Sequence, residues 1–307
     1  MWDRFVIRRK MNSFARRIGW TRAPARPIIA WITPTSRCNA RCRICLYHGT
    51  DRFSDSDFEH MRPEVYDRVR RELLPGLNEI YLSGGGEPLL SPVTEQILDD
   101  ALGSGKKCLV VTNGTIIKRE YLERLVRVPS TIRVSVDGTT PQVFEYIRAG
   151  IKFDRVMEFL DTLKEIRARG AHPNFLLQIS WVVTRSNLEQ MTDCVELAGR
   201  YDVHQICFGN FVLDGGRTDE FALTESLMTQ PEVVLPHWQR AYERGRELNV
   251  HVWPMFFDSK EKERDGGGQP NPALYDGVRI RQCPLPWWAV YVEVDGAVKP
   301  CCIPWQP

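Results

Sequence analysis

Short apolar runs alternate with amphipathic stretches through most of the chain, a rhythm that predicts successive β-α units. The runs at 28–33, 79–83, 107–112, 131–136, 175–183 and 204–208 read as strands. Between them, 64–73, 93–103, 119–125, 153–169 and 188–201 read as helices. In the fourth of these, Val156, Phe159, Leu160, Leu163 and Ile166 recur at helical spacing, with charges between them. Such units suffice for an α/β fold built as a partial (β/α)6 barrel of the TIM type, with active residues at the C-terminal strand ends. A flat doubly wound sheet satisfies the same alternation, so periodicity leaves both open. A long helix around 232–248 and one more strand at 250–254 follow. The glycine- and proline-rich 265–272 then reads as a linker, and 289–299 as a small β-hairpin extension turning at Asp295-Gly296. The expected division is a basic N-terminal segment (1–27), a core barrel (28–256), and a linker with the start of an extension (257–307).

Composition narrows the function classes. At 43% apolar and 26% charged over 307 residues, wholesale disorder is excluded. No apolar run approaches the roughly 18 residues of a spanning helix. A net charge of +2 is too balanced for a general nucleic-acid binder. The balance hides an asymmetry: residues 1–27 hold eight basic residues and one acid, Asp3, leaving 33 basic against 38 acidic in the remainder. Residues 2–20 place Trp2, Phe5, Val6, Met11, Phe14 and Ile18 near one helical face among arginines. Such a helix packs on the barrel, or lies on an anionic membrane surface or an acidic partner. The nine cysteines, odd in number and without a secretory signal, argue for a cytoplasmic chain with metal or redox chemistry.

They cluster. CNARCRIC sets Cys38, Cys42 and Cys45 at C-x3-C-x2-C spacing just after the first strand. Three thiolates on a tight loop can hold three irons of a cubane cluster, and the missing fourth leaves one iron open. A zinc site completed by His48 or a distant cysteine fits the triplet alone. SGGGEPLL follows the second strand; its glycines allow close backbone approach to a ligand, and its carbonyls and Glu87 can accept from an ammonium.

Together these residues resemble the radical S-adenosylmethionine (SAM) superfamily, over roughly residues 28–256. The resemblance implies that Cys38, Cys42 and Cys45 hold a 4Fe-4S cluster whose open iron chelates SAM. Reduction then cleaves SAM to a 5′-deoxyadenosyl radical that abstracts hydrogen from the substrate. Gly85, Gly86, Glu87 and Pro88 match the family's GGEP motif. Ile44 stands where the family often has an aromatic residue. The fourth strand ends in RVSVDG and leads to YIRAG, so Ser135 and Arg148 take the roles of residues that hold the SAM carboxylate, the arginine bidentately. Asn113 and Asp137 are expected to face SAM's ribose or the substrate, or simply to form Asn-Gly and Asp-Gly turns. A flavodoxin- or ferredoxin-type reductant is implied as partner.

The end, CPLPWWAVYVEVDGAVKPCC, resembles the opening of SPASM and twitch extensions, which carry auxiliary iron-sulfur clusters. Cys283, Cys301 and Cys302 are its candidate ligands, and a zinc-ribbon hairpin is the alternative. The local triplet lacks a fourth thiolate, so we expect the natural chain to continue and this auxiliary site to be incomplete within 307 residues. Cys108 and Cys194 read as buried hydrophobes. Cys207 alternates with Ile206 and Phe208; if its face is the barrel lumen, its thiol is placed to deliver a hydrogen atom to a substrate radical. The expected substrate is a small molecule of sugar or aminocyclitol type, oxidised or rearranged by an oxidoreductase. The alternatives are a peptide undergoing crosslinking, epimerisation or side-chain oxidation, and a zinc-stabilised binding protein without catalysis.

Overall fold

The computed structural model describes residues 4–20, 22–51, 53–213, 217–253 and 285–300. Cys283, Cys301, Cys302 and the linker at 265–272 therefore lie outside the described residues. The strands are β1 (Ile29–Ile32), β2 (Glu79–Leu82), β3 (Lys107–Thr112), β4 (Ser130–Ser135), β5 (Leu176–Val183), β6 (Gln205–Asn210), β7 (His251–Val252), β8 (Ala289–Val292) and β9 (Val298–Lys299). The helices are α1 (Arg4–Arg17), α2 (Pro63–Glu72), α3 (Val93–Gly103), α4 (Arg119–Val126), α5 (Pro141–Ile147), α6 (Phe153–Ala168), α7 (Met191–Arg200), α8 (Glu220–Glu225), α9 (Pro231–Glu247) and a single turn, α10 (Leu285–Trp288).

One sheet runs β7-β6-β5-β4-β3-β2-β1-β8-β9, parallel except for the final β8–β9 pair. The order from β1 to β7 never reverses. A doubly wound sheet reverses at a switch point to place helices on both faces, whereas a barrel winds one way. The strand order therefore resolves the ambiguity that periodicity left: this is a partial barrel whose sheet does not close.

Burial alternates along the strands. Ala30, Ile32, Ile80, Leu82, Val110, Ile132, Val134, Ile179 and Ile206 are at most 1% exposed and face the helices. Their neighbours Trp31, Tyr81, Val111, Arg133, Ser135, Ser180 and Cys207 are half-buried and face the lumen. The helical residues at 156, 159, 160, 163 and 166 are all buried, as their spacing requires.

Two features differ from a simple appended hairpin. The C-terminal strand β8 enters the sheet beside β1 and in parallel, with Tyr291 in register with Trp31. The basic helix α1 docks against α10: Asn12 exchanges hydrogen bonds with Ala25 and donates to the Trp287 carbonyl, while Arg8 donates to the Gly76 carbonyl. Ile7, Met11 and Phe14 remain exposed on its outer side. Among the described residues no helix is long and apolar enough to cross a membrane.

Candidate active site

The connection after β1 carries the cysteines and is tied down on several sides. Arg41 N and Arg43 N donate to the Ala149 and Ile147 carbonyls at the end of α5 (2.7 and 2.8 Å). Glu87 N donates to the Arg37 carbonyl, joining this loop to the glycine-rich turn after β2. Two glycines make the close approach possible. A Cβ on Gly86 would lie 2.4 Å from the Arg37 carbonyl oxygen, and one on Gly49 would lie 2.2 Å from that of Cys42.

The expected residues converge. Cys38, Cys42, Cys45, Gly85, Gly86 and Glu87, with Asn113, Ser135 and Arg148, line one cavity of about 230 Å³ at the C-terminal strand ends. Pro88 starts a buried turn behind it. Asp137 does not line it. Wholly buried, it accepts from Arg148 Nε and from Val182 N, both at 2.6 Å. Its carboxylate is taken up by Arg148 and Val182, a structural role other than the Asp-Gly turn that the sequence offered. Cys207 sits on the lumenal face, away from this cavity but in register with Ser180, which hydrogen-bonds Ser135.

Each sulfur has a donor. Ala40 N approaches Cys38 Sγ at 3.4 Å, His48 N approaches Cys45 Sγ at 3.4 Å, and Arg148 Nη1 approaches Cys42 Sγ at 3.7 Å. These contacts favour thiolates, yet burial pushes Cys38 up and Cys42 up to about 11. Arg148 offsets part of that effect at Cys42, and iron, when bound, would supply the further positive charge that holds the three as thiolates. Among the described residues no three His, Cys, Asp or Glu side chains gather to hold one metal ion. Zinc needs its sulfurs about 4 Å apart, given Zn–S bonds of about 2.3 Å, whereas a cubane places each cysteine on a different iron. The three sulfurs open onto one cavity and each meets a donor, an arrangement that fits the cluster.

His48, which the zinc reading would make a ligand, is engaged elsewhere. Its Nε2 lies 2.9 Å from both the Ser36 and Gly85 carbonyls, and its ring packs on Phe58 at 4.1 Å. It ties the cysteine loop to the glycine turn as a neutral donor, and burial lowers its pKa.

Glu87 also differs from expectation. Its carboxylate, 2% exposed, accepts from Leu89 N, Thr112 Oγ1 and Asn113 N at 2.7–3.1 Å. It braces the glycine turn against the end of β3, leaving mainly backbone groups to face a ligand. Burial lifts this carboxyl to about 6, against the pull of its three donors. A raised folded-state pKa stabilises the protein below the unfolded value, and that contribution is lost as pH rises through about 6. Glu87→Gln, which cannot ionise, should therefore gain about 2 kcal/mol relative to wild type between pH 4.5 and 7.5. Denaturant titrations of the apo-protein at both pH values would measure the difference; a pH-independent gap would show that this carboxyl does not titrate in the range.

Arg217 was invisible to sequence reasoning. It lies 172 residues from Cys45, and no local pattern marks it. Its side chain, 4% exposed, donates to the carbonyls of Arg43, Cys45 and Gly49 and pairs with Asp219. The β6–α8 connection thus latches the cysteine loop. Arg217→Met should loosen that loop by about 2–4 kcal/mol, because three carbonyls lose charge-assisted donors. Iron release to a chelator should quicken at least about tenfold while far-UV circular dichroism stays unchanged. An unaltered release rate would mean that the loop needs no latch.

The Radical SAM superfamily model matches residues 32–198, more than half of the chain. The chain is 28% identical over 246 residues to the AdoMet-dependent heme synthase of Methanosarcina barkeri, covering 76% of this chain and 62% of that one. It is 28% identical over 169 residues to the mycofactocin maturase MftC of Mycobacterium tuberculosis (54% and 40%). It is 22% identical over 283 residues to the subtilosin biosynthesis protein AlbA of Bacillus subtilis (90% and 55%). The chain thus spans between 40% and 62% of the length of these relatives. Streptococcus suis SuiB bound to precursor peptide SuiA shares the fold, with a TM-score of 0.67 at 18% identity over 90% of this chain and 60% of SuiB. So does anSMEcpe with bound AdoMet, at 0.65 and 21% over 90% and 71%. Since the matched span runs from the end of β1 into α7, the elements that build this cavity, the chain belongs to the radical SAM superfamily, and a 4Fe-4S cluster and SAM are its cofactors.

Proposed function

We propose that this chain is the catalytic barrel of an enzyme that draws a hydrogen atom from an organic substrate in the lumen, and that the substrate is part of a peptide. The observation that carries the reading is the single cavity onto which the three cysteines, the glycine turn, Ser135 and Arg148 open, at the mouth of the lumen. In this reading Cys38, Cys42 and Cys45 hold three irons. The Gly85–Gly86 backbone, Asn113, Ser135 and Arg148 contact SAM. When bound, the two cofactors supply a one-electron cleavage of a carbon–sulfur bond, and with it a carbon radical able to take a hydrogen atom.

The chain's own residues do the rest. Arg148 sets positive charge beside Cys42 while Asp137 holds its guanidinium in place. The barrel walls keep water from the radical. Cys207, on the lumenal wall, is the residue we assign as hydrogen donor. Cys283, Cys301 and Cys302 are proposed for an auxiliary cluster, and a flavodoxin or ferredoxin as electron source.

Support for a peptide comes from a relative named for bacteriocin biosynthesis and from SuiB, solved with a precursor peptide. A small molecule remains the second reading, because the heme synthase match covers 76% of the chain. The sugar or aminocyclitol expectation has no counterpart among these relatives. After anaerobic reconstitution, about four irons at the triplet and 5′-deoxyadenosine formation under dithionite are expected. No 5′-deoxyadenosine would sink the proposal. Deuterium passing from a labelled peptide pool into 5′-deoxyadenosine supports the peptide; SAM cleavage without any such transfer returns the small molecule.

A further inference from the structure

The lumen below the cavity has two chemically different walls. On one side Trp31 of β1, Tyr81 of β2 and Tyr291 of β8 stand in register. Trp31 stacks on Tyr291 with ring centroids 4.7 Å apart and planes at 13°, and meets Tyr81 edge-on, also at 4.7 Å. The facing wall, β4 to β6, is polar and carries one cation. Arg133 lies two residues before Ser135 on the same face of β4 and is half-buried.

Its surroundings hold the guanidinium still without neutralising it. Arg133 Nε donates to Gln178 Oε1 at 2.9 Å, Gln178 Nε2 to Gln205 Oε1 at 2.5 Å, and Trp253 Nε1 to the same oxygen at 3.2 Å. That relay fixes the plane of the guanidinium. Among the described residues Arg133 makes no ion pair and no further hydrogen bond. Nor is any Arg133 nitrogen among the buried polar atoms lacking a partner, so its terminal edge opens into the lumen. Its charge reaches both walls, opposing the effect of burial on Tyr81 and on Cys207.

We propose that Arg133 holds the carboxylate of the substrate, whose flat apolar group lies against Trp31, Tyr81 and Tyr291. A planar guanidinium with a free edge matches a carboxylate bidentately, and an aromatic wall favours a flat apolar skeleton. The placement suits the chemistry. Two residues of strand put Arg133 roughly 6–7 Å deeper than Ser135, so a carboxylate anchored there lies just below the cavity. The proposal deepens the hydrogen-abstraction reading and rests on it for the lumen being the substrate site.

The test is a binding measurement that needs no SAM cleavage. Fluorine NMR of the anaerobically reconstituted full chain, titrated with 4-fluorophenylacetate and with its neutral amide 4-fluorophenylacetamide, compares charge on one skeleton. The acid should bind at least about tenfold more tightly than the amide. Arg133→Met should erase that preference while leaving amide binding within about twofold, and Trp31→Ala should weaken both ligands. If Arg133→Met does not fold, Arg133→Lys should keep a reduced preference, because it retains charge but loses the fork. Equal affinities in wild type, or a preference that either Arg133 variant leaves unchanged, overturn the proposal. Failure here with 5′-deoxyadenosine formation intact leaves the hydrogen-abstraction reading standing; loss of SAM cleavage with the acid preference intact does the reverse.

Discussion

Cys42→Ala should abolish 5′-deoxyadenosine formation under dithionite, a loss of at least about 10³-fold, while the apo-protein keeps its fold. Cys42 is 8% exposed and sits between the end of α5 and Arg148, at the mouth of the barrel and not within its strands. Removing one sulfur from a buried site costs a small cavity, on the order of 1–2 kcal/mol. The chemical loss is far larger, since an iron without its thiolate is not retained in a low-dielectric pocket that already disfavours charge. The Arg148–Asp137 pair stays intact in the variant, so no buried charge is orphaned. Iron content, 5′-deoxyadenosine yield and far-UV circular dichroism together decide the matter. A variant that holds four irons and cleaves SAM at the wild-type rate would remove Cys42 from the ligand set.

That prediction was available from sequence because cluster ligation demands three soft donors on one short loop. The GGEP turn and Ser135 were singled out by the family resemblance, which rests on a glycine-rich turn after the second strand and a serine at the end of the fourth. The strands could be read locally, since alternation between helix-facing and lumenal residues repeats every two positions. What sequence hid was long-range. Arg217 braces the cysteine loop from a connection far along the chain, and an isolated arginine among many carries no signal of its partner. The stacking of Trp31 on Tyr291 depends on β8 returning beside β1, while the hairpin sequence pointed only to a local two-strand unit. Glu87 lines the cavity, but its burial and three donors are tertiary facts. Its neighbours in sequence suggest a ligand contact, whereas its neighbours in space make it a brace. Asp137 misled for the same reason: Asp-Gly at a strand end signals a turn, and nothing local announces a buried arginine eleven residues on.

Asp137→Asn should be the most destabilising single change at the site. The Asp137 side chain is fully buried and that of Arg148 is 11% exposed, with Nε and Oδ2 at 2.6 Å. Burial pushes the Asp137 carboxyl up against the pull of Arg148. Burial also works to lower Arg148, yet Asp137 holds its guanidinium charged and above its ordinary value. An amide in place of the carboxylate presents either a neutral acceptor or an opposing N–H to Arg148, and leaves the cation without a counter-charge. Breaking a buried pair in this way costs about 3–5 kcal/mol. At 2–4 °C per kcal/mol for a domain of this class, the melting temperature of the apo-protein should fall by roughly 6–20 °C. The double variant Asp137→Leu with Arg148→Met should recover part of that loss, because it removes the orphaned charge along with its partner while Val182 N still loses its acceptor. It should not recover SAM binding if Arg148 has the ligand role assigned to it. A drop below about 2 °C for Asp137→Asn would mean that water or relaxation satisfies Arg148. Restored SAM affinity in the double variant would show that SAM binding does not need Arg148.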